Sequence, residues 1–223
     1  MLDEISKIPD NIAAATSKTQ LTIHRPFGPS IAKVKLPKIL IEKFNSYIDG
    51  ELEKQNTSID FGPYLASNVT QELRIEDSFV ETTGLLKFLA SSTQQWIHKI
   101  NGKEISKFEL LSCWAVRQFE NEYNPAHYHG GHISGVGYLK LPETFGDNIQ
   151  ETKSGNLNGN IQFIHGSHQF LSGAVMAAKP ELGDFYLFPN YLMHTVYPFF
   201  GDGERRSISF NAVIDNEIYG NQH

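Results

Sequence analysis

The chain has 223 residues with 40% hydrophobic and 20% charged content, which supports a packed core and excludes global disorder. Its formal net charge of -6 comes without a Lys/Arg stripe, so no nucleic-acid partner is expected. No apolar run approaches the length of a membrane span, which leaves no membrane partner to expect.

Residues 1–20 are polar with an Ala patch, Ala13 to Ala15, and read as a frayed or docked N-terminal segment. A first strand is expected over 21–35, interrupted by Pro26 and Pro29. Pro37 stands where a helix begins, because its missing N–H is not needed there. Leu40, Phe44, Tyr47 and Ile48 then recur at the spacing of one buried helical face, and Gly50 is a stop signal. Residues 51–80 are mixed and polar. A second helix is expected over 84–100, with Leu85, Leu89, Trp96 and Ile100 on one face, closed by Asn101-Gly102.

After Gly102 the texture changes to short aromatic and β-branched runs between Gly, Pro, Asn and Asp breaks. Strands are expected over 108–119, 134–141, 160–165, 184–188, 194–198 and 205–213, the pattern of a sandwich or barrel. Cys113, the single cysteine, sits in one of these runs and reads as a buried, inert thiol; one cysteine allows no intramolecular disulfide and fits a reducing compartment. The opening Met1-Leu2-Asp3-Glu4-Ile5 lacks a signal-peptide pattern, so a cytoplasmic location is expected. Residues 142–160 form a long Gly/Asn-rich loop that, with 166–180, is expected to shape selectivity. The expectation is one domain over 1–223, α+β but mainly β, with supporting elements in 1–105 and a β core in 106–215.

Six of the nine histidines lie between positions 127 and 194. His127 and His129 stand two apart, so on a strand they share a face and can address one point. Imidazole suits iron, zinc, copper and nickel, but two ligands do not make a site. His194 is the best third, because Gly183 to His194 reads as an apolar strand, a Pro turn and a His opening the next strand. His165 and His168 read as pocket-rim or surface residues, and His132 is a substitute for His129 if its loop folds back. Against this stands the bland reading, a polar strand end and a satisfied core histidine.

The last strand carries Glu204-Arg205-Arg206-Ser207-Ile208-Ser209-Phe210-Asn211. Alternation puts Arg205, Ser207, Ser209 and Asn211 on one face, and Arg206, Ile208 and Phe210 on the other. The polar face either meets water or lines a pocket. In the second case Arg205 can grip a carboxylate bidentately with Ser207 adding a third hydrogen bond.

These residues resemble the iron(II)/2-oxoglutarate-dependent oxygenases, and within them a prolyl-hydroxylase-like group found in bacteria and phages. The resemblance rests on Trp114, Asn124 to His129, Ser134-Gly135-Val136-Gly137-Tyr138-Leu139, Gly183 to His194 and Gly203 to Asn211. It implies a double-stranded β-helix, or jelly roll, with N-terminal helices packed on one sheet. It implies that His127 and His194 bind Fe(II), with His129 where most of the superfamily has a carboxylate. Arg205, Ser207 and Tyr138 would bind the cosubstrate 2-oxoglutarate, and O2 would be consumed. Asp184 is a possible substitute carboxylate. The substrate expected is a peptide or protein side chain, or a small molecule. Two other readings stand beside this one: a cupin-type metalloenzyme, and a non-catalytic jelly-roll binding module. The run from Gly183 to His194 fits a cupin, but Ile133 and Ser134 stand where its first motif needs a Glu.

Overall fold

The computed structural model describes residues 28–54 and 59–220. The Ala13–Ala15 patch, residues 21–27 of the first expected strand, His24 and His223 lie outside the described residues. In chain order the elements are β1 (Ala32–Lys35), α1 (Lys38–Glu53), β2 (Gln71–Arg74), α2 (Asp77–Thr83), α3 (Leu85–Asn101), β3 (Phe108–Gln118), β4 (Asn124–His127) and β5 (Ile133–Lys140). There follow β6 (Ile161–Ile164), β7 (Val175–Ala178), β8 (Asp184–Pro189), β9 (Met193–Val196), β10 (Arg205–Ile214) and α4 (Asn216–Gly220).

All strand pairs are antiparallel. The larger sheet has the order β1-β8-β5-β10-β3-β2 and the smaller the order β4-β9-β6-β7. This is the double-stranded β-helix that the resemblance implies. Two apolar clusters lie on opposite faces of the larger sheet. On one face Ile208, Phe210, Ala212, Leu139 and Phe185 pack against Leu40, Phe44 and Ile48 of α1 and Leu85, Leu89 and Trp96 of α3. On the other, Val136, Tyr138, Tyr186 and Phe188 meet Ile161, Phe163 and Val196 of the smaller sheet. A strand buried on both faces reads as a continuous apolar run rather than an alternating one, which is why β8 is Asp-Phe-Tyr-Leu-Phe-Pro.

Both expected helices form on their periodic apolar faces, but the first runs through Gly50, the expected stop, to Glu53. α1 starts one residue after Pro37 and buries Leu40, Phe44 and Ile48, while Tyr47 stacks on Phe79 at 4.0 Å. α3 differs in one detail. Ile100 is 61% exposed and Ile97 takes the buried position. Gly135 and Gly137 on β5 explain the alternating glycines of that strand. A Cβ at Gly137 would stand 2.1 Å from the Phe185 ring and one at Gly135 would stand 2.5 Å from Phe210, so only glycine admits these rings onto the sheet.

The helices are also tied to the sheet by charge. Arg206, on the helix-facing side of β10, pairs with Glu204 at 2.8 Å and with Asp49 of α1 at 2.7 Å. Glu204 also accepts from Arg117 at 2.6 Å and Lys140 at 3.2 Å. Burial opposes the Glu204 carboxylate, but the Arg206 and Arg117 guanidiniums outweigh it and hold its pKa at about 2. Cys113 is buried and free as expected, and desolvation pushes its thiol up.

Candidate active site

A cleft of about 310 Å³ opens between the two sheets, within the roughly 300–1,000 Å³ range of small-molecule sites. Register across the larger sheet builds its floor in rows. Ser207 pairs with Val116 on one side and Tyr138 on the other, and Val116 pairs with Glu72. Two residues along, Ser209 pairs with Trp114 and Val136. Asn211 pairs with Ser112 and Ser134, and Ser134 donates to its Oδ1 at 2.8 Å. Because alternate residues share a face, Arg205, Ser207, Ser209 and Asn211 all line the cleft. The polar face of this strand therefore faces a pocket and not water.

The smaller sheet supplies the histidines. His127 on β4 lies directly across from His194 on β9, with ring centroids 4.3 Å apart. β4 ends at His127, so His129 is not held by strand pairing. Asn190 holds it instead: its carbonyl accepts the His129 N–H at 3.0 Å and its side-chain amide donates to the His129 carbonyl at 3.2 Å. One ligand atom from each of the three rings lies within 4.8 Å of the others, and among the described residues this is the His/Cys/Asp/Glu group that could hold a metal. The Nε2 atoms of His129 and His194 stand 3.2 Å apart. Two nitrogens bound at about 2.1 Å and at right angles on one ion stand about 3 Å apart, so this spacing suits a shared cation.

Backbone carbonyls fix the tautomers. Nδ1 of His127 faces the Pro125 carbonyl at 2.7 Å and Nδ1 of His194 faces the Leu192 carbonyl at 2.9 Å. A carbonyl only accepts, so Nδ1 carries the proton and Nε2 is left bare for ligation. Burial lowers all three pKa values. His129, with His194 and His127 adding to the effect, falls to about 3, and His194 to about 4. His127 moves in the same direction, opposed by its bond to Pro125. The rings are thus neutral at physiological pH, as ligands must be.

At another part of the cleft Arg205 is 2% exposed, and no acidic group pairs with it among the described residues. Its Nη1 donates to Gln118 at 2.7 Å, while Nε and Nη2 have no acceptor. The guanidinium lies over the Tyr138 ring at 4.9 Å, and the fully buried Tyr138 hydroxyl is also without a partner. Desolvation pushes that phenol up, with the Arg205 charge opposing. Buried polar groups normally find partners, so the unpaired Arg205 donors in the cleft, with the Tyr138 ring beneath them, mark a place for an acceptor.

The other sequence candidates lie elsewhere. Asp184 is not a substitute ligand: it sits at 0% exposure on β8 in ion pairs with Lys33 and Lys35 and does not line the cleft. His132 does not replace His129; its Nδ1 accepts from the Ile214 N–H and its ring stacks on Tyr219 at 3.9 Å. His165 and His168 are exposed beyond β6. Neither 142–160 nor 166–180 contributes a residue to the cleft wall. The first of these loops is closed on itself by Asn156 and Asn158 donating to the Gly146 carbonyl at 2.8 and 3.1 Å. The wall is built instead by Phe61, Tyr64, Leu65, Ala66 and Ser67, from the stretch that carried no periodic signal. Gln118 and Glu72 were also missed. Gln118 sits at the strand position paired with Arg205, a relation visible only once the register of β3 and β10 is known.

Fold and site together define a double-stranded β-helix protein with a three-histidine cluster beside an anion-accepting pocket. Residues 112–211, from β3 through β10, match the family described as "Putative 2OG-Fe(II) oxygenase", enzymes that use Fe(II), 2-oxoglutarate and O2. Among solved structures, a prolyl-4-hydroxylase from Pseudomonas putida is similar at 14% identity and a TM-score of 0.54, over 82% of this chain and 92% of that one. A viral collagen prolyl hydroxylase from Paramecium Bursaria Chlorella virus-1, in complex with 2OG, is 15% identical with a TM-score of 0.51, over 82% and 94%. AviO1 from Streptomyces viridochromogenes Tue57 is 13% identical with a TM-score of 0.55, over 84% and 90%. At these identities the likeness is one of fold. No curated protein matches the chain by sequence. Among the described residues no helix is long and apolar enough to cross a membrane.

Proposed function

We propose that this protein is a 2OG-Fe(II) oxygenase that hydroxylates a peptide or protein side chain, with Fe(II) held by His127, His129 and His194. Arg205, Ser207 and Tyr138 would bind the distal carboxylate of 2-oxoglutarate. The observation that carries the cosubstrate assignment is a buried guanidinium with no acidic partner among the described residues: Arg205 keeps Nε and Nη2 unpaired, and the Tyr138 hydroxyl is unpaired too. A carboxylate is the group that satisfies a fork of this geometry. The donor set also fits iron, since three imidazole nitrogens within 4.8 Å of one another leave room for a chelating 2-oxo acid and for O2.

When bound, iron and 2-oxoglutarate supply an oxidative decarboxylation that consumes O2, releases succinate and CO2, and places one oxygen atom into a substrate C–H bond. The chain's own residues do the rest. Pro125 and Leu192 carbonyls present Nε2 of His127 and His194 toward the shared point. Gln118, itself donating to the Glu122 and Tyr197 carbonyls, holds Nη1 of Arg205 and so aims the other two donors into the cleft. Phe188, Val136 and Ile161 border the histidines and keep that part of the cleft apolar.

The peptide assignment draws on the two prolyl hydroxylases among the fold relatives and on the aromatic lips of the cleft, Tyr64 and Tyr128, which are 78% and 68% exposed. In this reading the N-terminal helices and the β core act as one unit, supported by the apolar cluster that joins them. The protein would be cytoplasmic, which its single free buried cysteine suits. The test is anaerobic addition of Fe(II) and 2-oxoglutarate, followed through the visible charge-transfer band of the chelate. A band that disappears in His194→Ala supports the reading; its absence in the unaltered protein sinks it.

A further inference from the structure

Four carboxylates are buried among the described residues: Glu51, Glu72, Asp184 and Glu204. Three of them carry cations. Glu51 pairs with Lys54 at 2.6 Å, Asp184 with Lys33 and Lys35, and Glu204 with Arg206, Arg117 and Lys140. Glu72 is the exception. It is 3% exposed, and among the described residues its side-chain partner is a hydroxyl, Ser67 Oγ, at 2.5 Å. Burial raises its pKa, Ser67 opposes, and the nearby Asp60 adds to the rise. An ionised carboxylate left this way is costly, and nothing in the packing of β2 asks for it, since Leu73 alone supplies that strand's contribution to the helix-side core.

Its position gives the reason. Glu72 faces the cleft beside Val116, in the row that contains Ser207 and Tyr138. The adjacent row on β3 presents Trp114, whose ring lies 5.6 Å from His129 and 5.9 Å from Phe61. Phe61 in turn is joined to the Glu72 carbonyl through its backbone N–H at 2.8 Å, and Tyr64 lies 5.6 Å from Phe61. A buried carboxylate flanked by aromatic faces is the arrangement that recognises an organic cation, by charge-assisted hydrogen bonding together with cation–π attraction. Glu72 is not one of the three groups in ligating range of each other, so it is free of the metal cluster. Among the described residues the cleft thus contains one buried cation without an acidic partner, Arg205, and one buried carboxylate without a cationic partner, Glu72.

We propose that Glu72 is the anionic subsite for the substrate, and that the substrate bears an ammonium or guanidinium group seated between Glu72 and the Phe61–Trp114 wall. As a statement about an oxygenase substrate it rests on the reading given above; as a binding site it stands on Glu72 and its neighbours. Ser67 keeps one carboxylate oxygen in place, and the other is left to the incoming cation.

The test compares charged and neutral twins by Trp fluorescence titration of the protein loaded with Ni(II) and 2-oxoglutarate. The pairs are Nα-acetyl-lysine amide against Nα,Nε-diacetyl-lysine amide, Nα-acetyl-arginine amide against Nα-acetyl-citrulline amide, and glucosamine against N-acetylglucosamine. In at least one pair the charged member is expected to bind about tenfold or more tightly than its twin. The responding pair tells an amino-acid cation from an aminosugar. Glu72→Gln keeps the Ser67 contact and is expected to bring that ratio close to one while leaving the Fe(II)/2-oxoglutarate band intact. Phe61→Leu is expected to weaken only the charged member, which serves if Glu72→Gln does not fold. Equal binding of both members in every pair, or binding of none, overturns the proposal, as does a preference that survives Glu72→Gln. If the chelate band never forms but the charge preference appears and depends on Glu72, the oxygenase reading falls and the cation site stands.

Discussion

Replacing Arg205 by Met separates a carboxylate-binding cation from a structural one, because the two roles predict opposite outcomes. A buried guanidinium with no anionic partner costs the ligand-free protein several kcal/mol, and Met fills a similar volume without that cost. Against this gain stands Gln118, whose Oε1 would lose its 2.7 Å donor. A buried acceptor left unpaired costs about 1–3 kcal/mol. The ligand-free Tm of Arg205→Met is therefore expected to equal or exceed that of the wild type. Cosubstrate binding moves the other way. Removing one partner of a buried charge pair costs about 3–5 kcal/mol, which weakens 2-oxoglutarate binding by about 10²–10⁴-fold. The assay is calorimetric titration of 2-oxoglutarate into Mn(II)-loaded wild type and variant, with scanning calorimetry of both proteins before loading. Affinity within about threefold of wild type, a difference of less than 1 kcal/mol, refutes the argument, whatever the Tm does.

Four further outcomes are expected. His194→Ala should weaken Mn(II) binding by at least about 100-fold, beyond what the loss of an outer hydrogen-bond partner costs, as measured by electron paramagnetic resonance titration. The same titration carried to lower pH tests the histidine environment. Ligation needs the neutral ring, and all three histidines are pushed below the ordinary 6.5, His129 to about 3 and His194 to about 4, so affinity should persist through 6.5 and be lost only at lower pH. Gln118→Leu should weaken 2-oxoglutarate by about tenfold through misplacement of Arg205, with Mn(II) affinity unchanged in a direct titration. Glu204 has a folded pKa of about 2 against an ordinary 4.5, so its stabilisation is complete above 4.5 and is lost as pH falls toward 2. That contribution is on the order of 3 kcal/mol, and urea midpoints measured against pH should show Glu204→Gln flattening the acid decline while lowering the neutral-pH midpoint.

What the sequence made legible is what one element determines alone. Alternation along β10 separated Arg205, Ser207, Ser209 and Asn211 from Arg206, Ile208 and Phe210, and the two sets do face the cleft and the helices. His194 was legible because an apolar strand, a proline turn and a histidine follow one another without interruption. What the sequence hid depends on a partner strand. β2 reads Gln-Glu-Leu-Arg, with no apolar alternation, and is a strand because β3 offers it an edge. Its Glu72 therefore had no signal. Gln118 likewise gains its role from a register with Arg205 that composition does not encode. The 142–160 loop misled for the opposite reason. Its Asn and Gly residues satisfy the loop's own carbonyls, so a polar composition that suggested a binding surface is spent on local closure.

The histidine at position 129 and the unpaired charges of the cleft belong to one electrostatic argument. The common pattern in non-haem Fe(II) oxygenases places a carboxylate in the metal set, which cancels one unit of the ion's charge. Three neutral imidazoles cancel none, so a divalent ion held here keeps its full charge, and Arg205 adds another positive charge to the same cleft. A dianionic 2-oxo diacid leaves one positive charge in excess. Glu72 is the buried carboxylate facing that excess, and among the described residues no Lys or Arg competes for it. Burial alone raises its pKa, but a positively charged cleft opposes protonation, so loading the site favours the ionised form. The negative charge missing from the metal shell thus stands in the cleft wall, placed where it can meet a substrate rather than the ion.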